Sequence, residues 1–333
     1  MCECVRASVN LCLFLYKFKS IEFPPLAVLM AESKLKCERS DKSVHNKQTS
    51  DVKFTMPVQE KAIEPNVLKE YLDTVYPLQK AARDGRADIL KLLVKKYGMN
   101  VNCQTYDLVT PLHEASAWGH MNCVSELIQL DASVNARNID GSTPLCEASS
   151  HGKTECVRLL LAAGAYVNPP LLLTTPLHEA VFNNNWECTE ILTEAGANLE
   201  ASDIHFGTPL LVTCLNGYIK CAKVLLQSGA NVNAARTHQT PLHEAIKQGL
   251  DNEFLTLLLE HGANTRSLNN QGLLPRHLAR QNSSVIKLLD YWEKNPQSLL
   301  FYARKSILKA LRTYRLIPKL EIPQILQNYL SFK

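Results

Sequence analysis

The sequence predicts an all-α chain, a stack of about six to seven repeated helix pairs followed by a small separate helical element. Three observations carry this expectation. A short word recurs in phase along most of the chain. Each copy is bracketed by helix-starting and helix-stopping residues, and an apolar stripe at helical spacing follows it.

The word is Thr110-Pro111-Leu112-His113-Glu114-Ala115. It returns as Thr143-Pro144-Leu145-Cys146-Glu147-Ala148, as Thr175-Pro176-Leu177-His178-Glu179-Ala180, as Thr208-Pro209-Leu210 and as Thr240-Pro241-Leu242-His243-Glu244-Ala245. Weaker copies flank these at Tyr76-Pro77-Leu78-Gln79 and Leu274-Pro275-Arg276-His277. The seven prolines, from Pro77 to Pro275, lie 32 to 34 residues apart. Thr is a good N-cap, because its hydroxyl accepts from a free N–H of the first turn. Pro at the first helical position gives up an N–H that has no helical partner anyway. Each first helix should end near Gly119, Gly152, Gly217 or Gly249, or at Asn184, which tolerates the left-handed backbone of a helix end. A second helix follows, with a stripe such as Cys156-Val157-Arg158-Leu159-Leu160-Leu161, and stops at Gly164, Gly196, Gly229 or Gly262. Val134-Asn135, Val167-Asn168 or Val232-Asn233 then leads into a polar turn such as Asn138-Ile139-Asp140-Gly141.

A period of 33 with T-P-L-H-x-A resembles the ankyrin repeat. The resemblance covers residues 64–292 and implies antiparallel helix pairs stacked into a curved solenoid, hairpin turns projecting from one edge. Glu64 to Val75 should cap the first repeat with a short helix. Residues 1–63 lack the repeat. Their stretch from Glu32 to Gln59 is rich in charged and polar residues, which predicts disorder there.

Composition excludes several classes of function. The chain has 333 residues, 46% apolar and 20% charged, with a formal charge of +4. That charge is too small to imply a nucleic-acid partner. No apolar run reaches the length needed to cross a membrane. The best, Val9 to Tyr16, is followed at once by Lys17 and Lys19, with no small-residue cleavage site. The expected location is therefore intracellular, cytoplasmic with the nucleus open. Eleven cysteines cannot pair completely. Cys123, Cys156, Cys188 and Cys221 fall at one point of successive second helices, about 10 Å apart, too far for disulfides. They read as small buried apolar side chains. His113, His178 and His243 recur with the repeat and read as structural. No phosphate-cradling loop or metal-ligating spacing appears, so neither an active site nor a cofactor is expected.

After Trp292 the period stops. Ser298 is a candidate N-cap, and Leu299, Ala303, Ile307 and Leu311 form one helical stripe. Leu320, Ile322, Pro323, Leu326, Tyr329 and Leu330 follow in a second motif. Residues 293–333 resemble a SOCS box, and with the repeats the chain resembles the ankyrin-repeat and SOCS-box family. In that family the first motif binds elongin C, paired with elongin B. The second binds a cullin, usually the fifth paralogue, which carries the RING subunit. Ala303 stands where the family has Cys, and Glu321 where it has Pro.

The resemblance implies a non-catalytic substrate receptor of a ubiquitin ligase, whose array grips a target. The alternative is an ankyrin scaffold outside any ligase. Target-binding candidates are the large side chains expected on the concave, hairpin-bearing face: Trp118 and Phe182 at exposed helix ends, and Arg137, Tyr166, His205, Phe206 and Arg236 at or near hairpin tips. The third hairpin, Asn168 to Leu173, is unusually apolar. Trp186 should pack inside its second helix. The eight Lys and Arg from Lys294 onward read as solvated helix faces, because no stacking platform accompanies them.

Overall fold

The computed structural model describes residues 65–170, 174–203, 205–279 and 284–295, with residues 301, 303, 307, 326, 327 and 330 beyond them. The chain divides into two units, Met1–Ala62 and Ile63–Lys333, and every described residue belongs to the second. The disorder expected for residues 1–63 lies outside the described residues.

Fifteen α-helices run in order among these residues. A short α1 (Pro65–Leu72) is followed by seven pairs: α2 (Pro77–Arg83) with α3 (Ala87–Lys95), α4 (Pro111–Trp118) with α5 (Met121–Gln129), and α6 (Pro144–Ser150) with α7 (Thr154–Ala162). Then come α8 (Pro176–Phe182) with α9 (Trp186–Glu194), α10 (Pro209–Asn216) with α11 (Ile219–Gln227), α12 (Pro241–Lys247) with α13 (Asn252–Glu260), and α14 (Pro275–Leu278) with α15 (Ser284–Lys294). Each first helix packs on its own second helix and on the first helices before and after it, so the array is a one-dimensional stack.

Local chemistry at the helix starts follows the word. Thr143, Thr175 and Thr240 accept through their side chains from the backbone N–H of Cys146, His178 and His243. Helix ends take the left-handed backbone at Gly119 (φ 84°) and Gly217 (φ 73°), and Asn184 follows at φ 56°. At Gly152 freedom of φ is half the reason for glycine. A Cβ there would stand 2.7 Å from the Asn185 side chain, whose amide donates to the Ser149 and Ser150 carbonyls at the end of α6. The start of one helix thus caps the end of its neighbour.

The core is the sum of equivalent positions. Leu78, Leu112, Leu145, Leu177, Leu210 and Leu242 are fully buried, as are Ala115, Ala148, Ala180 and Ala245. Cys123, Cys156, Cys188 and Cys221 are buried and unpaired. Burial pushes the thiols of Cys123 and Cys188 up to about 12 and those of Cys156 and Cys221 to about 11, so none is a thiolate at neutral pH.

The three repeat histidines are structural ties. His113 Nε2 lies 3.1 Å from the Ser142 carbonyl, His178 Nε2 3.0 Å from that of Gly207, and His243 Nε2 3.2 Å from that of Leu273. A carbonyl only accepts, so Nε2 carries the proton and donates. Nδ1 then accepts from the Thr110, Thr175 or Thr240 hydroxyl at 2.7–3.0 Å. Each ring joins a first helix to the next hairpin. In the first repeat Gln79 does the same work, its amide donating to the Cys103 carbonyl at 3.0 Å. In the fifth, Leu211 replaces the ring, and the buried Thr208 hydroxyl has no partner among the described residues.

These ties predict a pH dependence. Burial lowers the pKa of His113, His178 and His243. The unfolded chain, with histidines near 6.5, therefore takes up protons that the fold refuses. The stabilisation is complete above about pH 6.5 and is lost as pH falls below it. Urea midpoints measured between pH 7.5 and 5 should decline, and His178→Gln, which keeps a donor, should flatten the decline. An unchanged slope in that variant would contradict the assignment.

Candidate interaction sites

The C-terminal element begins where the last repeat ends. Arg276 on α14 holds two carboxylates of α15, Asp290 and Glu293, each at 3.1 Å. Trp292 lies between those anchors and packs against the core of the array. Its ring meets Phe301 at a centroid distance of 6.2 Å and an interplanar angle of 63°. An edge-to-face aromatic contact therefore joins the last repeat to the following helical segment. Phe301, Ala303 and Ile307 are helical and only half-buried. Leu326 is half-buried as well, and Leu330 is buried. The described part of this element thus keeps apolar surface open while the Trp292–Phe301 contact fastens it to the last repeat. Ser298, Leu299 and Leu311 of the first motif lie outside the described residues. So do Leu320, Ile322, Pro323 and Tyr329 of the second.

The hairpin edge is built by a side-chain ladder. Asn135 Nδ2 donates to the Gly164 carbonyl (3.3 Å), and its Oδ1 accepts from the Tyr166 N–H (2.8 Å). Asn102, Asn168 and Asn233 repeat the pattern one repeat apart, each reaching the backbone of the next. After Asn198, Glu200 takes the place and accepts from the Asn231 N–H at 2.7 Å. These bonds fix neighbouring hairpins relative to one another.

Trp118 and Tyr166 are exposed, 56% and 59%, as expected. His205 and Phe206 are exposed at the fourth hairpin, where Asp203 Oδ1 accepts from both of their N–H groups. Phe182 corrects the expectation. It is half-buried, packed against the core, with the Phe206 ring edge-on at 4.8 Å. Arg137 is half-buried and donates to the Pro170 carbonyl, which tethers the second hairpin to the third. Arg236 is half-buried beside a bridge to Gln239. Of the third hairpin, Pro169 is buried and Pro170 exposed, while Leu171, Leu172 and Leu173 lie outside the described residues. Trp186 also departs from expectation: it is half-buried in the first turn of α9, with the Lys220 ammonium 5.6 Å from its ring.

Charge is uneven along the first helices. Glu114, Glu147 and Glu179 form a row, one per repeat. Arg83 grips Glu114 through two bonds, at 2.8 and 3.1 Å. Glu147 makes no salt bridge among the described residues, but His151 lies close enough to act on its carboxylate. Burial raises its pKa, and the Glu179 and Glu114 carboxylates add to the shift. Among the described residues no group of three His, Cys, Asp or Glu is placed to hold a metal ion, and no helix is long and apolar enough to cross a membrane.

Family profiles agree with this architecture. The profile described as ankyrin repeats matches three times, over residues 43–138, 127–203 and 199–269, and the SOCS box profile matches residues 295–331. The chain belongs to the ankyrin-repeat and SOCS-box family.

Within that family it is 55% identical to mouse (Mus musculus) ankyrin repeat and SOCS box protein 13 over 169 residues, half of this chain and 60% of the relative. It is 39% identical to mouse ankyrin repeat and SOCS box protein 5 over 131 residues, 39% of this chain and 40% of the relative. The chain thus spans 60% or less of the length of these relatives. Among solved structures, the human ASB11 ankyrin repeat domain is similar at a TM-score of 0.60 and 38% identity, covering 67% of this chain and 99% of that one. The ankyrin repeat domain of Bcl-3 gives 0.55 and 29%, covering 64% and 97%.

For a member of the ankyrin-repeat and SOCS-box family, three exposed residues escaped the sequence reading: Tyr106 and Leu108 on the first hairpin and Ile139 on the second. The signal was present. Leu108 stands two residues before Thr110, where Gly141 stands before Thr143, and Ile139 interrupts an otherwise polar turn.

Proposed function

We propose that this chain is a non-catalytic substrate receptor of an elongin–cullin–RING ubiquitin ligase. The observation that carries the reading is the half-buried SOCS-box segment: Ala303 and Ile307 keep apolar surface that the array does not cover, directly after a repeat anchored through Trp292 and Phe301. Elongin C, paired with elongin B, completes that burial through Ser298, Leu299, Ala303, Ile307 and Leu311. The segment from Leu320 to Leu330 meets the cullin, of the fifth paralogue, with its RING subunit. The array holds the target, and tethering raises target lysines to an effective concentration of about millimolar beside the charged ubiquitin carrier. Catalysis belongs to the other subunits. The setting is intracellular, to which the seven unpaired thiols among the described residues are suited.

The target face includes Trp118, Tyr166, His205 and Phe206, with Phe182 supporting Phe206 from below. Arg137 and Arg236 hold the flanking hairpins. Proximity labelling with the full chain and with a chain lacking residues 293–333 tests the reading. Targets labelled by both should accumulate only with the shortened chain. Phe206→Ala should leave elongin capture intact and lower ubiquitination of such a target at least fivefold. Equal ubiquitination by the two chains would count against the assigned face.

A further inference from the structure

The first two hairpins present a ridge that the fold does not require. Tyr106 is 90% exposed, its ring edge-on to Tyr76 at a centroid distance of 6.2 Å, and Ile139 is 65% exposed. Leu108 is exposed too and sits at φ 57°, where a Leu side chain crowds its own backbone. Gly141 and Gly272 occupy the same turn position in other hairpins, at φ 79° and 70°. The Ile139 N–H donates to the Asp107 carbonyl at 2.9 Å, so the two tips are stitched together and Ile139 comes beside the Asp107-Leu108 backbone. Contiguous exposed apolar side chains on a rigid edge mark an interaction surface.

The charges beside the ridge indicate what fits it. Asp107 and Asp140 flank Leu108 and Ile139, are exposed, and have no cation partner among the described residues. Glu147 lies near the second hairpin, where Asn138 Nδ2 donates to it at 3.5 Å and His151 is within electrostatic reach. The Arg of this stretch, Arg137, is turned toward the Pro170 carbonyl of the next hairpin. Such a surface repels phosphate and other polyanions and favours lysine or arginine. The 2.9 Å bond between the Ile139 N–H and the Asp107 carbonyl sets the two tips at about the 4.8 Å separation of neighbouring strands, close enough for one short extended segment to meet both.

We infer that the ridge Tyr106–Leu108–Ile139 receives an extended target segment that combines apolar side chains with basic ones. This deepens the receptor reading, on which it rests, by naming the chemistry of the target segment.

The test uses the full chain and a fluorescein-labelled twelve-residue peptide of Leu and Lys, followed by polarisation. A second peptide has Glu for every Lys. The Lys peptide should bind saturably, weaken as salt rises, and lose at least tenfold in affinity in the Asp107→Asn, Asp140→Asn double variant and in Ile139→Ser. Leu108→Gly should lose affinity by a similar factor while its melting temperature stays equal or rises, which separates recognition from folding. Equal binding of both peptides, no binding of the Lys peptide, or undiminished binding by the variants would overturn the inference. So would concentration-dependent self-association abolished by Ile139→Ser, which would make the ridge an interface between copies. Polarisation needs no elongin, so failure of elongin capture would sink the ligase reading and leave this result standing.

Discussion

If the chain is the receptor proposed above, Leu299→Asp should abolish capture of the elongin B–elongin C pair while leaving the repeat array folded. In the sequence Leu299, Ala303, Ile307 and Leu311 recur at helical spacing, and the two described members, Ala303 and Ile307, are only half-covered by the chain itself. An apolar side chain at the centre of an interface is worth about 2 kcal/mol or more, so Leu299→Ala alone should weaken binding about thirtyfold. A carboxylate at the same place adds the cost of burying an unpaired charge, and binding then falls below detection. Ala303 sharpens the expectation. It leaves a smaller contact than a sulfur-bearing side chain would, so Ala303→Cys should strengthen capture. Titration calorimetry with purified elongin B–elongin C reads all three variants. An Asp variant that still binds within threefold of the unsubstituted chain would refute the assigned face.

The second large effect is on stability. Leu160 is fully buried in α7, in the middle of the array, and belongs to the continuous core. Leu160→Ala removes its transfer energy and leaves a cavity, together about 2–5 kcal/mol. In a stack, each repeat is stabilised by its neighbours, so a defect at α7 weakens the contacts of α7 with both α5 and α9. The urea transition should move to lower concentration and lose cooperativity, the two halves of the array melting apart. The exposed Leu268→Ala should shift the midpoint by less than about 0.5 kcal/mol. If Leu160→Ala matched Leu268→Ala, the neighbour-coupled account of the fold would fail.

The repeat was legible because its signals are local. Thr, Pro and Gly act within one turn of the helix they start or stop, so Thr175, Pro176 and Asn184 could be assigned from spacing alone. The cysteine row was legible for a related reason: a residue recurring with the period shares its environment with its copies. Residues whose surroundings come from another repeat were harder to read. Phe182 looked exposed because it ends its helix, yet Phe206 arrives from the next hairpin and covers it. Trp186 looked internal because it opens an apolar helix, yet its ring faces Lys220 of the following repeat. Arg137 looked like a free cation and is spent on the Pro170 carbonyl. The asparagine ladder was visible only as a recurring Val-Asn pair, because its bonds run to main-chain atoms about thirty residues on, which no side-chain pattern reveals. Leu108 and Ile139 fall in turns, where composition alone does not distinguish an apolar residue turned inward from one left in water.

Co-expression of the full chain with elongin B and elongin C, followed by size-exclusion chromatography with light scattering, tests the receptor assignment most directly. The account predicts one species with the mass of a single copy of each of the three proteins, surviving dilution to nanomolar concentration. Elution of this chain apart from the elongins, with its array folded and its C-terminal segment intact, would contradict it.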